Sequence, residues 1–336
     1  MAPDASARVR VVVELSGEHP TLPRAEVLAA FEAEGVIVRE FAVGSSVLRA
    51  DASGPVPRSL ARLGLAHVVC EELVRGSFED VRAWARDQDL AGRRFRVRAR
   101  GIGIDLDIRG VEGALGSDLG RTGTVDLAHP QVDLRLLAAD EFVLGRVFHR
   151  VERSALEKRK VARRPFSRPI SLHPKLARAL VNLSRVPTAG VLLDPFCGTG
   201  GILLEASRIG LRSVGADAAA SMVRGARASL LSLDEQADLV LADAGRGPWR
   251  PGRVVGIATD PPYGRAATTR REPREDLYDR AFGALAEVLP RGGHLAVGLP
   301  SEDAVEIVGR HLELLERHAL RVHKSLTRIF CAFRRG

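Results

Sequence analysis

The chain of 336 residues is predicted to be α/β, with a mostly parallel sheet in its second half and a smaller α+β region before it. Three observations carry that prediction. The stretch Val191 to Gly201, VLLDPFCGTGG, passes from an apolar run through a carboxylate and a glycine turn into ILLEASRIG, whose Ile202, Leu203, Ala206 and Ile209 fall at helical spacing. Strand, turn and helix in that order build a Rossmann-like sheet buried on both faces. Further apolar runs follow, and they lead into Asp217, Asp243 and Asp260. The first quarter of the chain instead alternates as β-α-β-β-α-β, the order of a ferredoxin-like unit.

In chain order, Arg8 to Leu15 reads as a strand, and Leu22 to Glu34 as a helix with Thr21 as N-cap and Gly35 as stop. Val36 to Val43, Ser46 to Ala50 and Ala66 to Val74 are strands, with a short helix from Pro57 to Leu63. Ser77 caps a helix to Asp87. Arg93 to Arg100, RRFRVRAR, is a strand whose alternate positions are cationic, so one face meets a core and the other solvent. VDLAHPQVDLRLL and EFVLGRVFH make two more strands around a turn. Residues 146–168 then hold nine arginines and lysines against Glu152 and Glu157, and Pro165, Pro169 and Pro174 make an extended basic connector before a helix from Lys175 to Leu183. The plain alternatives are a charge-guarded sheet edge for the cationic strand and a soluble hinge for the connector.

Beyond the glycine turn, Arg212 to Ala216, Leu239 to Leu241 and Val254 to Thr259 are strands, and RAATTRREPRED is a polar loop after Asp260-Pro261-Pro262-Tyr263. An apolar helix to Val288, the strand HLAVGLP, a helix from Glu302 to His311 and a closing antiparallel pair, HLELLERHALRVHK with SLTRIFCAFRR, complete the chain.

The glycine turn brings backbone close to a ligand at the carboxyl end of a strand. A dinucleotide fingerprint would need a third glycine where Leu203 stands, and a phosphate loop would need Gly-Lys-Ser/Thr, which is absent. S-adenosylmethionine, which carries no phosphate, is favoured instead. Asp194, Phe196, Cys197, Gly198, Thr199 and Gly200 would line its cradle. Asp217, about 20 residues past the glycines, can accept from both ribose hydroxyls, and Asp243 from the adenine amino group. Each carboxylate alone also reads as a helix N-cap; the series favours a ligand site. In Asp260-Pro261-Pro262-Tyr263 two prolines stiffen the backbone and leave carbonyls to accept hydrogen bonds.

DPFCGTGG followed by DPPYG resembles the class I S-adenosylmethionine-dependent methyltransferases that modify exocyclic amino groups. Over about the last half of the chain, the resemblance implies a mostly parallel seven-stranded sheet with a C-terminal antiparallel hairpin. It makes Asp260, Pro261, Pro262 and Tyr263 the catalytic residues and places Phe166 against the methionine end of the cofactor. RRFRVRARGIG to VDLAHPQVDLRLL resembles the THUMP domain, an RNA-binding module of RNA-modifying enzymes. TLPRAEVLAAFEAEG, RPFSRPISLHPKLARALVNL, DPPYGRAATTR and HKSLTR jointly resemble the archaeal tRNA guanine-10 N2-methyltransferases and their eukaryotic relatives, with departures at Ser167, Ile170 and His173. The resemblance implies transfer of one or two methyl groups to the exocyclic N2 of a guanine in tRNA, G10. Other substrates stay open: another tRNA or rRNA guanine, a DNA adenine N6, a protein glutamine, or RNA binding without catalysis.

The formal charge of +8 implies a polyanionic partner. Candidate RNA contacts are Arg96, Arg98 and Arg100 on the cationic strand and Lys158, Arg159, Lys160, Arg163 and Arg164 in the connector. The expected partner is tRNA rather than DNA or a membrane, and the chain is expected to be monomeric, with or without a small activating protein. No apolar run approaches the roughly 20 residues of a membrane span, and no signal-peptide pattern opens the chain; a cytoplasmic location is expected. Cys70, Cys197 and Cys331 are far apart and no His/Cys pair has zinc spacing, so neither disulfide nor metal is expected. The expected units are 1–75 (ferredoxin-like), 76–150 (THUMP core), 151–180 (basic linker) and 181–336 (methyltransferase).

Overall fold

The computed structural model describes residues 8–43, 46–160, 164–166, 168, 171–263, 272–323 and 326–336. The chain forms two compact units. One comprises Met1–Pro20, Ile37–Leu60 and Ala66–Val151; the other Thr21–Val36, Ala61–Leu65 and Glu152–Gly336.

The first unit holds an eight-stranded sheet among the described residues. Its strands are β1 (Val9–Leu15), β2 (Ile37–Val43), β3 (Val47–Ser53), β4 (Ala66–Gly76), β5 (Arg94–Gly101), β6 (Thr124–Val125), β7 (Val132–Ala138) and β8 (Phe142–Arg150), in the order β2-β3-β1-β4-β8-β7-β5-β6. The expected division at residue 75 therefore runs through β4, which pairs with β1 on one side and β8 on the other. Helix α1 (Leu22–Ala33) precedes β2, and α2 (Val56–Leu60) precedes β4. Helix α3 (Phe78–Asp87) starts on a capping box in which Ser77 and Asp80 satisfy each other's backbone amides. Helix α4 (Ile108–Leu119) is not among the expected elements. Asp107 caps it, and Val111, Leu115 and Leu119 are buried along one face.

The second unit recruits α1 and residues 61–65 from the N-terminal part of the chain. The reason is apolar: Leu22, Ala25 and Ala29 pack in one cluster with Leu176, Leu180 and Leu183. Within that contact the buried Glu26 carboxylate accepts from the amides of Gly64 and Leu65 at 2.9 and 2.7 Å and from Asn182 at 3.0 Å. Helix α5 (Arg153–Lys158) replaces part of the expected extended connector, and α6 (Pro174–Leu183) is capped by His173.

The seven strands of this unit are β9 (Val191–Asp194), β10 (Arg212–Asp217), β11 (Asp238–Leu241), β12 (Gly256–Thr259), β13 (His294–Leu299), β14 (Glu313–His323) and β15 (Leu326–Arg334), ordered β11-β10-β9-β12-β13-β15-β14 among the described residues. The first five are parallel, while β15 runs antiparallel to β13 and to β14. Helices α7 (Gly201–Arg208), α8 (Ala220–Leu231), α9 (Arg274–Val288) and α10 (Glu302–Gly309) connect them. This is the mostly parallel seven-stranded sheet with a closing hairpin. Strand order reverses direction at β9, between its neighbours β10 and β12, which is where open α/β sheets bind ligands.

Candidate active site

The parallel strands deliver Asp194, Asp217, Asp243 and Asp260 to one edge of the sheet, because each lies at or just beyond the carboxyl end of its strand. Around β9 they build a cradle. Gly198 and Gly200 have φ of 50° and 79°, values that side chains disfavour. A Cβ on Gly200 would also stand 3.2 Å from the Ala226 methyl on α8. The Gly198 amide donates to Asp217 Oδ2 at 3.1 Å, and the Ala219 amide to Oδ1 at 2.8 Å, so Asp217 ties the glycine turn to the loop after β10. Thr199 Oγ1 meets Ser171 Oγ at 3.1 Å.

Asp194 is buried and faces inward. Its Oδ1 accepts from Thr259 Oγ1 at 2.7 Å and from the Phe196 amide at 3.3 Å, linking β9 to β12 and to the turn. Burial pushes its carboxyl up to about 7. Cys197 is buried beside Leu203, and burial raises its thiol well above the ordinary range, so it is packing rather than a nucleophile. Phe196 packs on the core, its ring 6.4 Å from Phe282. Asp243 is held by Arg280 at 2.6 and 3.2 Å and by the Gly245 amide at 2.9 Å. The Arg280 hydrogen bonds keep that carboxyl below its ordinary range.

Beyond β12 stands a jaw. Tyr263 donates its hydroxyl to Asp260 Oδ1, and Arg328 Nη2 lies 3.5 Å from Asp260 Oδ2. The Arg328 guanidinium also sits 5.0 Å from the centre of the Tyr263 ring, a cation–π contact. Tyr278 on α9 donates to the Pro262 carbonyl at 2.9 Å. Gly298 on β13 makes room, since a Cβ there would come within 2.7 Å of Asp260 Oδ1 and 3.2 Å of the Tyr263 hydroxyl. Burial raises the Asp260 carboxyl, and the nearby Arg328 charge opposes that rise. Arg328, Tyr278 and Gly298 are absent from the sequence-based site. Arg328 could have been suspected from HKSLTR, but only the pairing of β13 with β15 brings it beside Asp260.

A cradle at β9 and an Asp-Pro-Pro-Tyr jaw at β12 find their counterparts among known proteins. Residues 161–329 match the family described as UPF0020, RMKL-like, methyltransferase domain. A tRNA (guanine(10)-N2)-dimethyltransferase from Methanothermobacter thermautotrophicus is 35% identical over 96% of this chain and 98% of its own. The protein of the same description from Pyrococcus abyssi is 33% identical, over 95% and 97%. The chain belongs to this tRNA guanine-N2-methyltransferase family. The crystal structure of TrmN from Thermus thermophilus has the same fold, with a TM-score of 0.52 at 23% identity over 97% of this chain and 99% of that one.

As a class I enzyme the methyltransferase uses S-adenosylmethionine, and the residues present fit that group. The glycine turn is open to close approach, and Asp217 stands at the end of β10, as a ribose partner must. One expectation changes. Arg159 and Arg164 are not surface cations for RNA: Arg159 makes a two-pronged pair with Glu205 at 2.9 and 3.0 Å, and Arg164 is buried. Phe166 lies on α8, its ring where a Cβ on Gly225 would be and its carbonyl accepting from Ser229 at 3.3 Å. Arg163 lies outside the described residues. Lys158 is exposed, and Lys160 pairs with Glu157.

In the first unit, the four arginines of β5 each meet a carboxylate, Arg94 that of Asp126 at 3.4 Å. Arg96 is bidentate with Asp133 at 2.8 and 2.7 Å, Arg98 lies 3.3 Å from Glu112, and Arg100 pairs with Glu14.

Proposed function

We propose that this chain methylates the exocyclic N2 of guanine 10 in tRNA, adding one or two methyl groups. The observation that carries the reading is the placement of Asp260 and Tyr263 just beyond the end of β12, the strand that adjoins β9 and its glycine cradle. A guanine amino nitrogen has its lone pair delocalised into the ring and attacks poorly until acceptors hold its hydrogens. Asp260 and the Pro261 carbonyl supply those acceptors, and Pro262 stiffens their backbone. Tyr263 offers a ring face to a base withdrawn from its helix, as base-modifying enzymes require. S-adenosylmethionine, when bound, supplies a methyl carbon on a sulfonium whose sulfur keeps the electron pair of the broken bond. Holding acceptor and donor together replaces a bimolecular encounter by a fixed arrangement.

The first unit is proposed to act as a THUMP-like module that engages the tRNA, supported by the net positive charge of the chain. The relatives described above, named for guanine 10 of tRNA, support the choice of position. Purified full-length protein, tRNA transcript and S-adenosylmethionine should yield N2-methylated guanosine at position 10 by mass-spectrometric mapping. Replacing that guanosine by adenosine should abolish the product. Methylation elsewhere in the transcript would overturn the choice of G10, and methylation of a DNA adenine alone would overturn RNA.

A further inference from the structure

Arg164 is 6% exposed. Its Nε donates to the Arg159 carbonyl at 3.0 Å, but among the described residues neither Nη1 nor Nη2 meets an acceptor. Nη1 stands 3.3 Å from where a Cβ on Gly201 would be, beside the first residue of α7 and so at the glycine turn. Burial lowers the pKa of Arg164, with Glu205 opposing. Glu205 is already shared, by Arg159 and by Arg178, whose Nη2 lies 2.7 Å from it. Three buried or half-buried guanidiniums thus surround one carboxylate, next to amides at a helix start that carry partial positive charge.

An arginine cannot shed its proton to escape burial. A buried guanidinium whose two Nη groups meet no acceptor, beside a carboxylate already shared by two other arginines, is unfavourable, so this arrangement calls for an anion. The planar fork of a guanidinium matches a carboxylate or a phosphate. A buried side chain facing the glycine turn is closed to an RNA phosphate but open to a ligand seated in the turn.

We infer that Arg164 binds the carboxylate of the methionine portion of S-adenosylmethionine. This rests on reading the turn around Gly198 and Gly200 as the cofactor cradle. Arg164 then works as a binding residue that distinguishes cofactors bearing the amino-acid tail from nucleosides that lack it. It also explains why a cation in a basic connector is folded inward.

The test is calorimetric binding to the full-length protein of S-adenosylhomocysteine, which has the tail, and of 5′-methylthioadenosine, which keeps the adenosine and sulfur without it. R164Q should weaken S-adenosylhomocysteine by about tenfold to a hundredfold and leave 5′-methylthioadenosine within about twofold. R164K, which retains charge but not the fork, should fall between; it decides the matter if circular dichroism shows R164Q unfolded. Equal losses for both ligands, or none for either, would overturn the inference. So would a loss of tRNA affinity in R164Q without cofactor while S-adenosylhomocysteine binds normally. If the wild-type protein binds neither ligand, the cradle reading itself fails, an outcome distinct from those.

Discussion

The cradle and the jaw use carboxylates in opposite ways. Asp194 and Asp217 spend their oxygens largely on the protein's own framework: Asp194 on Thr259 and the Phe196 amide, Asp217 on the amides of Gly198 and Ala219. They fix backbone. Among the described residues, Asp260 is held by the side chains of Tyr263 and Arg328, which reach it from the same turn and from β15. A carboxylate that fixes backbone should matter to stability and ligand shape. One held by side chains can exchange a partner for a substrate proton, and should matter to rate.

The largest effect expected from this contrast is on turnover. Asp260→Ala removes an acceptor from the reacting nitrogen and should lower the single-turnover rate by about 10²–10³-fold, the range for losing one preorganised electrostatic partner. tRNA affinity should barely change. Asp260→Asn keeps one accepting oxygen and should retain partial activity. A near wild-type rate for Asp260→Ala would erase the distinction between jaw and cradle. Asp217→Ala is next: S-adenosylmethionine binding should weaken by ~2 kcal/mol, roughly thirtyfold, when a charged acceptor is lost. Unchanged calorimetric affinity would place the ribose elsewhere.

Much of this was legible because the local chemistry agreed with the global fold. An apolar run ending in Asp before a glycine turn says both where a strand stops and what its end faces. Helix α4 was hidden by Gly110, Gly113 and Gly116, which lower helix propensity, although Asp107 and the spacing of Val111, Leu115 and Leu119 marked it. An amphipathic pattern tells that α1 buries one face, not which unit receives it; that was decided by Leu176 and Leu180, far along the chain. Arg328 reaches Asp260 only through strand order. Arg164 was misread because a charge pattern carries no information about burial.

Asp194 gives the comparison a pH dependence. Burial pushes its carboxyl up to about 7, whereas an unfolded aspartate titrates near ~3.9. Between those values the folded protein keeps a proton that the unfolded chain has released. The corresponding stability is therefore present in full below about pH 4 and is lost as pH rises through about 7. Asp194→Asn removes this titration while preserving an acceptor for Thr259. Relative to wild type, the variant should gain on the order of 1–3 kcal/mol between pH 5 and pH 8 in urea unfolding. A difference that is flat with pH would mean that Asp194 is ionised throughout, as in an exposed site.

The division between committed and available groups extends to the cations, where the expected effects are smallest. Arg96 already has both oxygens of Asp133, so moving to a phosphate would exchange one anion for another with little net release of counterions. Lys158 is exposed on α5 and can add its charge to a phosphate at no such loss. Measured from 50 to 200 mM salt, the slope of log affinity for tRNA should fall by roughly one in Lys158→Ala. It should fall by well under one in Arg96→Ala, and by less than three when Arg96, Arg98 and Arg100 are replaced together. Equal slopes for the Lys158 and Arg96 variants would show that the ion pairs of β5 open on binding, making the strand a phosphate-contacting face despite its carboxylates.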